Sequence, residues 1–222
     1  MEGKIIPMDI NRISACTYPV RTEPLDYTFE LISRSGYRKI DLWGGPPNYA
    51  NDPAKCDIGS LKQKCTDYEV RIDNAAALGS RSIRVSPGHG EDPDIIPGLI
   101  LFFTESAKYA AGRNVYLGFE NHQGSIAANP ADIMTLIEAV GSPYLGILYE
   151  PANLMACRVD YKTAYERFAD HVVHVHIKDG RWLISVLEKA GYTGDYSVEF
   201  EIEDSVSVEQ GLPDWLSFML SI

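Results

Sequence analysis

Short apolar runs alternate with amphipathic stretches along almost the whole of this 222-residue chain, and nothing else in the sequence restricts the fold as much. Strand-like runs fall at about 12–18, 37–43, 82–86, 115–120, 145–150, 171–177 and 196–201, picked out by residue type and a period of two. Helical periodicity fills the intervals at 25–35, 68–78, 98–111, 131–140, 161–169 and 182–190, with a last stretch at 212–221. Strands separated by helices pair in parallel, because each crossover needs a helix's length of chain. The pattern predicts parallel strands with helical crossovers in one domain spanning 1–222, an open α/β sheet or a barrel.

Punctuation supports these boundaries. Gly36, Gly79, Gly112, Gly141 and Gly191 each follow a helical stretch, where a left-handed residue ends the helix at least cost. Asn129 before Pro130, and Asp160 before the YKTAYERF run, are helix-start signals. The alternation fails once: between Trp43 and Ser82 one helical pattern passes into another with no apolar strand. A third strand is therefore expected to be missing, and the loop after the seventh strand to be cut short. Eight-unit barrels typically run to about 250 residues, so a shorter chain fits two lost segments.

Within this frame, four residues of metal-ligating type end successive apolar runs: Glu120 in VYLGFENH, Glu150 in LGILYEP, His176 in HVVHVHIKDG and Glu199 in DYSVEFE. They lie about one βα unit apart, and parallel strands deliver their C-terminal residues to one rim. Taken singly, each Glu reads as a solvated or ion-paired loop residue; in phase with the fold, the four read as one centre. Three carboxylates and one imidazole fit Mn²⁺ best, with Mg²⁺, Co²⁺ and Zn²⁺ as alternatives. His174 shares a strand face with His176 but lies one layer deeper, as a hydrogen-bonded core residue would. Glu201 shares a face with Glu199, which is preferred because EIEDS already reads as loop.

Further rim residues carry two readings each. His122 is either a donor to a substrate oxygen or a surface residue, and Asn153, in the loop expected after Pro151, suits a substrate hydroxyl. Arg84 and His89 bracket the exit of the run at 82–86, in a loop that either closes over a ligand or is a turn built by Pro87, Gly88 and Gly90. Trp43, before Gly44 and Gly45, is either an aromatic wall for a sugar ring or a part-buried rim residue. Lys178 follows the His176 strand on the same rim.

Other classes of function are disfavoured. The formal charge of -11 repels polyanions, so nucleic acid is not an expected partner. No apolar run approaches the roughly 18 residues of a membrane span, and the first residues lack a signal-peptide core, which predicts a cytoplasmic protein with no membrane partner. Four cysteines without CxxC spacing read as reduced thiols. Neither nucleotide fingerprint, GxGxxG nor GxxxxGK[ST], occurs, so no nucleotide cofactor is expected, and no GxSxG elbow carries a nucleophile.

Taken together, SACTYP, GYRKIDLWGG, AAALGSRSIRVSPG, GFENHQG, LGILYEPANLM, HVVHVHIKDG and GYTGDYSVEFE resemble the xylose isomerase-like TIM barrels, the sugar phosphate isomerase/epimerase superfamily. The resemblance implies that the fold is a (β/α)8 TIM barrel, with metal ligation by Glu120, Glu150, His176 and Glu199. Where many members carry Asp followed three residues later by His, this chain has Glu150 and Asn153. It also implies a small carbohydrate or polyol substrate, and it allows a homo-oligomer. The expected reaction is sugar isomerisation or epimerisation by proton transfer through a cis-enediolate, with Glu120 and Glu199 as the acid/base pair. The alternatives are an inosose-dehydratase-like lyase and a barrel that binds sugar or metal without catalysis. A phosphodiesterase of the endonuclease IV type ranks below them, since five histidines are few for a multi-zinc cluster.

Overall fold

The computed structural model describes residues 8–44, 57–72, 80–178, 181–201 and 206–222. Among them are eight strands: β1 (Ile13–Cys16), β2 (Lys39–Asp41), β3 (Arg71–Ile72), β4 (Ser82–Val85), β5 (Tyr116–Glu120), β6 (Leu145–Tyr149), β7 (Val172–Ile177) and β8 (Tyr196–Val198). The helices are α1 (Leu25–Arg34), α2 (Ile58–Asp67), α3 (Ile96–Ala111), α4 (Pro130–Val140), α5 (Pro151–Ala156), α6 (Tyr161–Phe168), α7 (Arg181–Lys189) and α8 (Val208–Leu220). This is the (β/α)8 TIM-barrel class, and the strand pairings within each unit below are parallel. None of the described helices is long and apolar enough to cross a membrane.

The third strand expected to be missing is present. β3 pairs with β2 through Lys39↔Arg71 and Ile40↔Ile72, and at two residues it is too short to show a period. It replaces part of the helix expected over 68–78; residues 73–79 of that stretch, with Gly79, lie outside the described residues. The helix of this interval is α2, before β3, which buries only Leu61. The short connection expected after the seventh strand is found, since β7 ends at Ile177 and α7 begins at Arg181.

Helix ends follow the expected chemistry with one exception. Asp160 Oδ1 accepts from the amides of Lys162 and Thr163, and Asn129 Oδ1 from that of Ala131. Gly36, Gly141 and Gly191 have positive φ, but Gly112 keeps a right-handed φ of -61°. The left-handed residue there is Asn114, at φ 53°, an amide side chain that tolerates this region.

The chain divides into two compact units, one holding β1–β3 and everything from Lys178 onward, the other holding Ser80–Ile177. In the first, the parallel order is β3-β2-β1-β8. Ile13, Ala15, Ile40, Tyr196 and Val198 are buried in its core with Phe29 and Ile32 of α1 and Leu212 and Met219 of α8. The buried Tyr37 hydroxyl donates to Leu212 O at 2.9 Å. Arg12 joins β1 to the α7–β8 connection, pairing with Glu188 at 2.8 Å and donating to the carbonyls of Tyr192 and Gly194.

In the second unit the order is β4-β5-β6-β7. The register between β6 and β7 slips once, from Ile147↔Val172 to Leu148↔His174, so Val173 is an extra residue on β7. Gly146 makes room for this bulge: a Cβ there would collide with the His171 carbonyl and the Val173 side chain. Beyond the strands, the loops after β4 and β5 are tied together. Gly90 N donates to Gly124 O at 2.8 Å, Gly124 N donates to the Glu91 carboxylate at 3.0 Å, and Gly90 bridges Ser125.

Candidate metal centre

Side chains alternate across a strand, so helix contacts reveal which way each residue faces. On β5, Phe119 packs against Phe103 of α3 with ring centroids 4.7 Å apart, which turns Gly118 and Glu120 to the opposite face. On β6, Tyr149 meets Tyr165 and Phe168 of α6, which turns Leu148 and the following Glu150 the same way. His174 and His176 share one face of β7, with ring centroids 5.5 Å apart. The bulge sets the level as well as the face. Because Leu148 is opposite His174, Glu150 comes level with His176 instead of falling one residue short of it.

The outcome is a buried triad in the second unit. Glu150 is fully buried, His176 is 3% exposed and Glu120 5%. His176 Nδ1 lies 3.4 Å from Glu120 Oε1 and 3.6 Å from Glu150 Oε2. One ligand atom from each residue lies within 4.8 Å of the other two. Two carboxylates and an imidazole converging out of reach of solvent are a donor set for a divalent cation, so these residues fit a divalent metal. Burying such carboxylates without a cation would be costly.

Two neighbours of the triad were not recognised as such in the sequence. Asn121 is fully buried and grips the backbone of Glu150 at both ends: its Nδ2 donates to Glu150 O at 2.5 Å, and its Oδ1 accepts from Glu150 N at 2.9 Å. The only signal was an amide directly after a ligand-type Glu. Arg84, expected only to border a loop, reaches Glu120, with Nη2 2.5 Å from Oε2. Its register partner is Gly118, on the face that Glu120 shares.

The remaining rim residues are placed as follows. Asn153 lies in α5 rather than a loop, because Pro151 starts a helix directly after β6. It is 6% exposed, and its Nδ2 has no hydrogen-bond partner among the described residues. His122 is half-buried, with Nδ1 2.8 Å from Gln123 O, and His89 is exposed. In the first unit, Glu199 directly follows β8 and is 7% exposed, whereas the Glu201 side chain is 58% exposed. Lys178 lies 2.7 Å from Glu201 and 3.6 Å from Glu199. Trp43 is half-buried, donating its amide to Thr17 Oγ1 at 2.8 Å and meeting Tyr18 edge-on.

Comparison with known proteins gives a consistent picture of the fold. A family model described as xylose isomerase-like TIM barrel matches residues 67–221. A curated relative, 3-oxo-isoapionate decarboxylase from Pectobacterium atrosepticum, is 31% identical over 119 residues, covering 51% of this chain and 41% of that protein. The chain thus spans less than half the length of that relative. Among solved structures, an AP endonuclease, family 2, from Brucella melitensis superposes with a TM-score of 0.76 at 16% identity, covering 96% of this chain and 98% of that one. A D-tagatose 3-epimerase-like protein does so with a TM-score of 0.74 at 18% identity, covering 95% and 97%.

Proposed function

This chain belongs to the xylose isomerase-like TIM barrel family, and we propose that it is a single-domain, divalent-metal-dependent enzyme moving protons on a sugar-derived substrate through a cis-enediolate. The observation that carries this reading is the buried convergence of Glu120, Glu150 and His176 at the C-terminal ends of β5, β6 and β7. Glu199 joins the proposal as the fourth ligand because it ends β8 in the same strand-end phase. A divalent metal, when bound, polarises a carbonyl and favours the enediolate that forms from it.

The protein's own groups supply the rest. Glu120 and Glu199 act as the acid/base pair: one takes the proton from the carbon next to the carbonyl, the other returns a proton. Glu150 and His176 complete the ligand set. The buried Asn153 Nδ2 suits a substrate hydroxyl, with His122, His89, Trp43 and Lys178 as further contacts around a small carbohydrate or polyol.

A second reading is favoured by the curated relative, whose name is that of a decarboxylase of a 3-oxo sugar acid. Loss of CO₂ from a 3-oxo acid leaves its electron pair in an enolate, which the same centre would hold before an acid protonates it. The two readings share a metal and an enolate and differ in whether a C–C or a C–H bond breaks.

The experiment is a calorimetric Mn²⁺ titration of metal-stripped protein, followed by incubation of the loaded protein in D₂O with ketoses and 3-oxo sugar acids. Deuterium uptake next to the carbonyl supports proton transfer, and CO₂ release supports decarboxylation. Failure of the parent chain to take Mn²⁺, or full deuterium exchange by Glu120→Gln, would overturn the assignment.

A further inference from the structure

The Arg84 side chain is 48% exposed while the Glu120 carboxylate it touches is 4% exposed, so the guanidinium runs from the buried centre to the solvent side. A permanent cation beside a site for a divalent cation is a liability, since it repels the ion that the carboxylates attract. Its position needs an offset. One nitrogen forms an ion pair with Glu120 Oε2; the guanidinium carries five N–H donors in a planar fork, and that fork matches a carboxylate bidentately.

We propose that Arg84 is a specificity residue that takes the carboxylate of the substrate, which makes the substrate class sugar acids rather than neutral sugars. This rests on the metal-centre reading above and deepens it. Arg84 holds Glu120 by one end, leaving Oε1 turned toward His176, and receives the substrate's anionic group with the other. A charge-assisted contact of this kind discriminates strongly, because the neutral analogue leaves a guanidinium facing an uncharged hydroxyl.

The test compares Mn²⁺-loaded parent, Arg84→Met and Arg84→Lys by calorimetry with two matched pairs of probes, D-gluconate against D-glucitol and D-ribonate against ribitol. A carboxylate also favours the metal itself, so the parent's preference alone is not decisive. The decisive quantity is how much of that preference Arg84→Met loses. The expected result is that Arg84→Met loses on the order of tenfold to a hundredfold more affinity for the acid than for its matched alditol, a ratio from which any change at Glu120 common to both probes cancels. Arg84→Lys, which keeps the charge and loses the fork, is expected to fall between, and it keeps the test open if the Met variant does not fold. Two results overturn the proposal: a parent that binds acid no better than alditol, binding of neither included, or variants that keep the parent's full preference. A parent that takes no Mn²⁺ in a titration with the metal alone defeats both readings, whereas one that takes Mn²⁺ and fails the acid test defeats this one alone.

Discussion

Replacing Asn121 by alanine isolates the seat of one ligand without touching any ligand atom. The side chain makes two buried hydrogen bonds, at 2.5 and 2.9 Å, to the carbonyl and amide of Glu150. Stranding the Glu150 amide in the interior costs about 1 to 3 kcal/mol, and losing the second bond about 0.5 to 1.5 kcal/mol more. Asn121→Ala is therefore expected to lose about 1.5 to 4.5 kcal/mol in urea unfolding of the metal-free protein, as a lower midpoint at unchanged m. Asn11→Ala is the control, because that amide bonds Asp9 at 2.9 Å in an exposed setting and should cost under about 0.5 kcal/mol. In the same variant, Mn²⁺ affinity should fall about 10- to 100-fold, the usual effect of removing the support of a ligand. An Asn121→Ala protein within about 0.5 kcal/mol of its parent would show that the amide does not hold Glu150 in place.

Three further outcomes follow from the same geometry. Gly146→Ala puts a methyl group into the His171 carbonyl and the Val173 side chain, so it should cost at least about 1 to 3 kcal/mol by urea unfolding and weaken Mn²⁺ binding through the displaced His176. Glu150→Gln removes a fully buried carboxylate, so the metal-free variant should melt no lower than its parent while losing all stabilisation by added Mn²⁺ in a thermal scan. Burial raises the pKa of Tyr37, Tyr149 and Tyr196. The folded state then holds these protons more tightly than the unfolded state, so their contribution is complete below the ordinary tyrosine value of about 10 and is lost as pH rises above it. Tyrosinate absorbance from these three should appear only together with alkaline unfolding, and their smooth titration in folded protein would contradict their burial.

What the sequence disclosed depended on how many residues each signal needed. Strands of four to six residues, such as β4, β5 and β7, carry enough alternation to be read, whereas β3 has only Arg71 and Ile72. α5 is illegible for the same reason, since its six residues directly after a strand hold too little of a helical period to distinguish the seat of Asn153 from a loop. The ligand types at Glu120, Glu150 and His176 were legible because they end long apolar runs. The insertion of Val173 was not legible, since a bulge is a relation between two strands and leaves no pattern in either one. Asn121 and Arg84 belong to the same class. Their partners are 29 and 36 positions away in the chain, and only the register of β4, β5 and β6 brings them together.

The loops after β4 and β5 are held together by backbone contacts of Gly90 with Gly124 and Ser125 and by the Glu91 carboxylate, which accepts from Gly124 N. Those bridges make the two loops one unit of exchange. Transplanting either loop from a relative to change substrate preference would break amide partners that the other supplies, so recombination and insertions are tolerated only where both segments change together. Variation in one of these loops should consequently carry a record of variation in the other, and a library that randomises Ser86–Glu91 alone samples mostly misassembled rims.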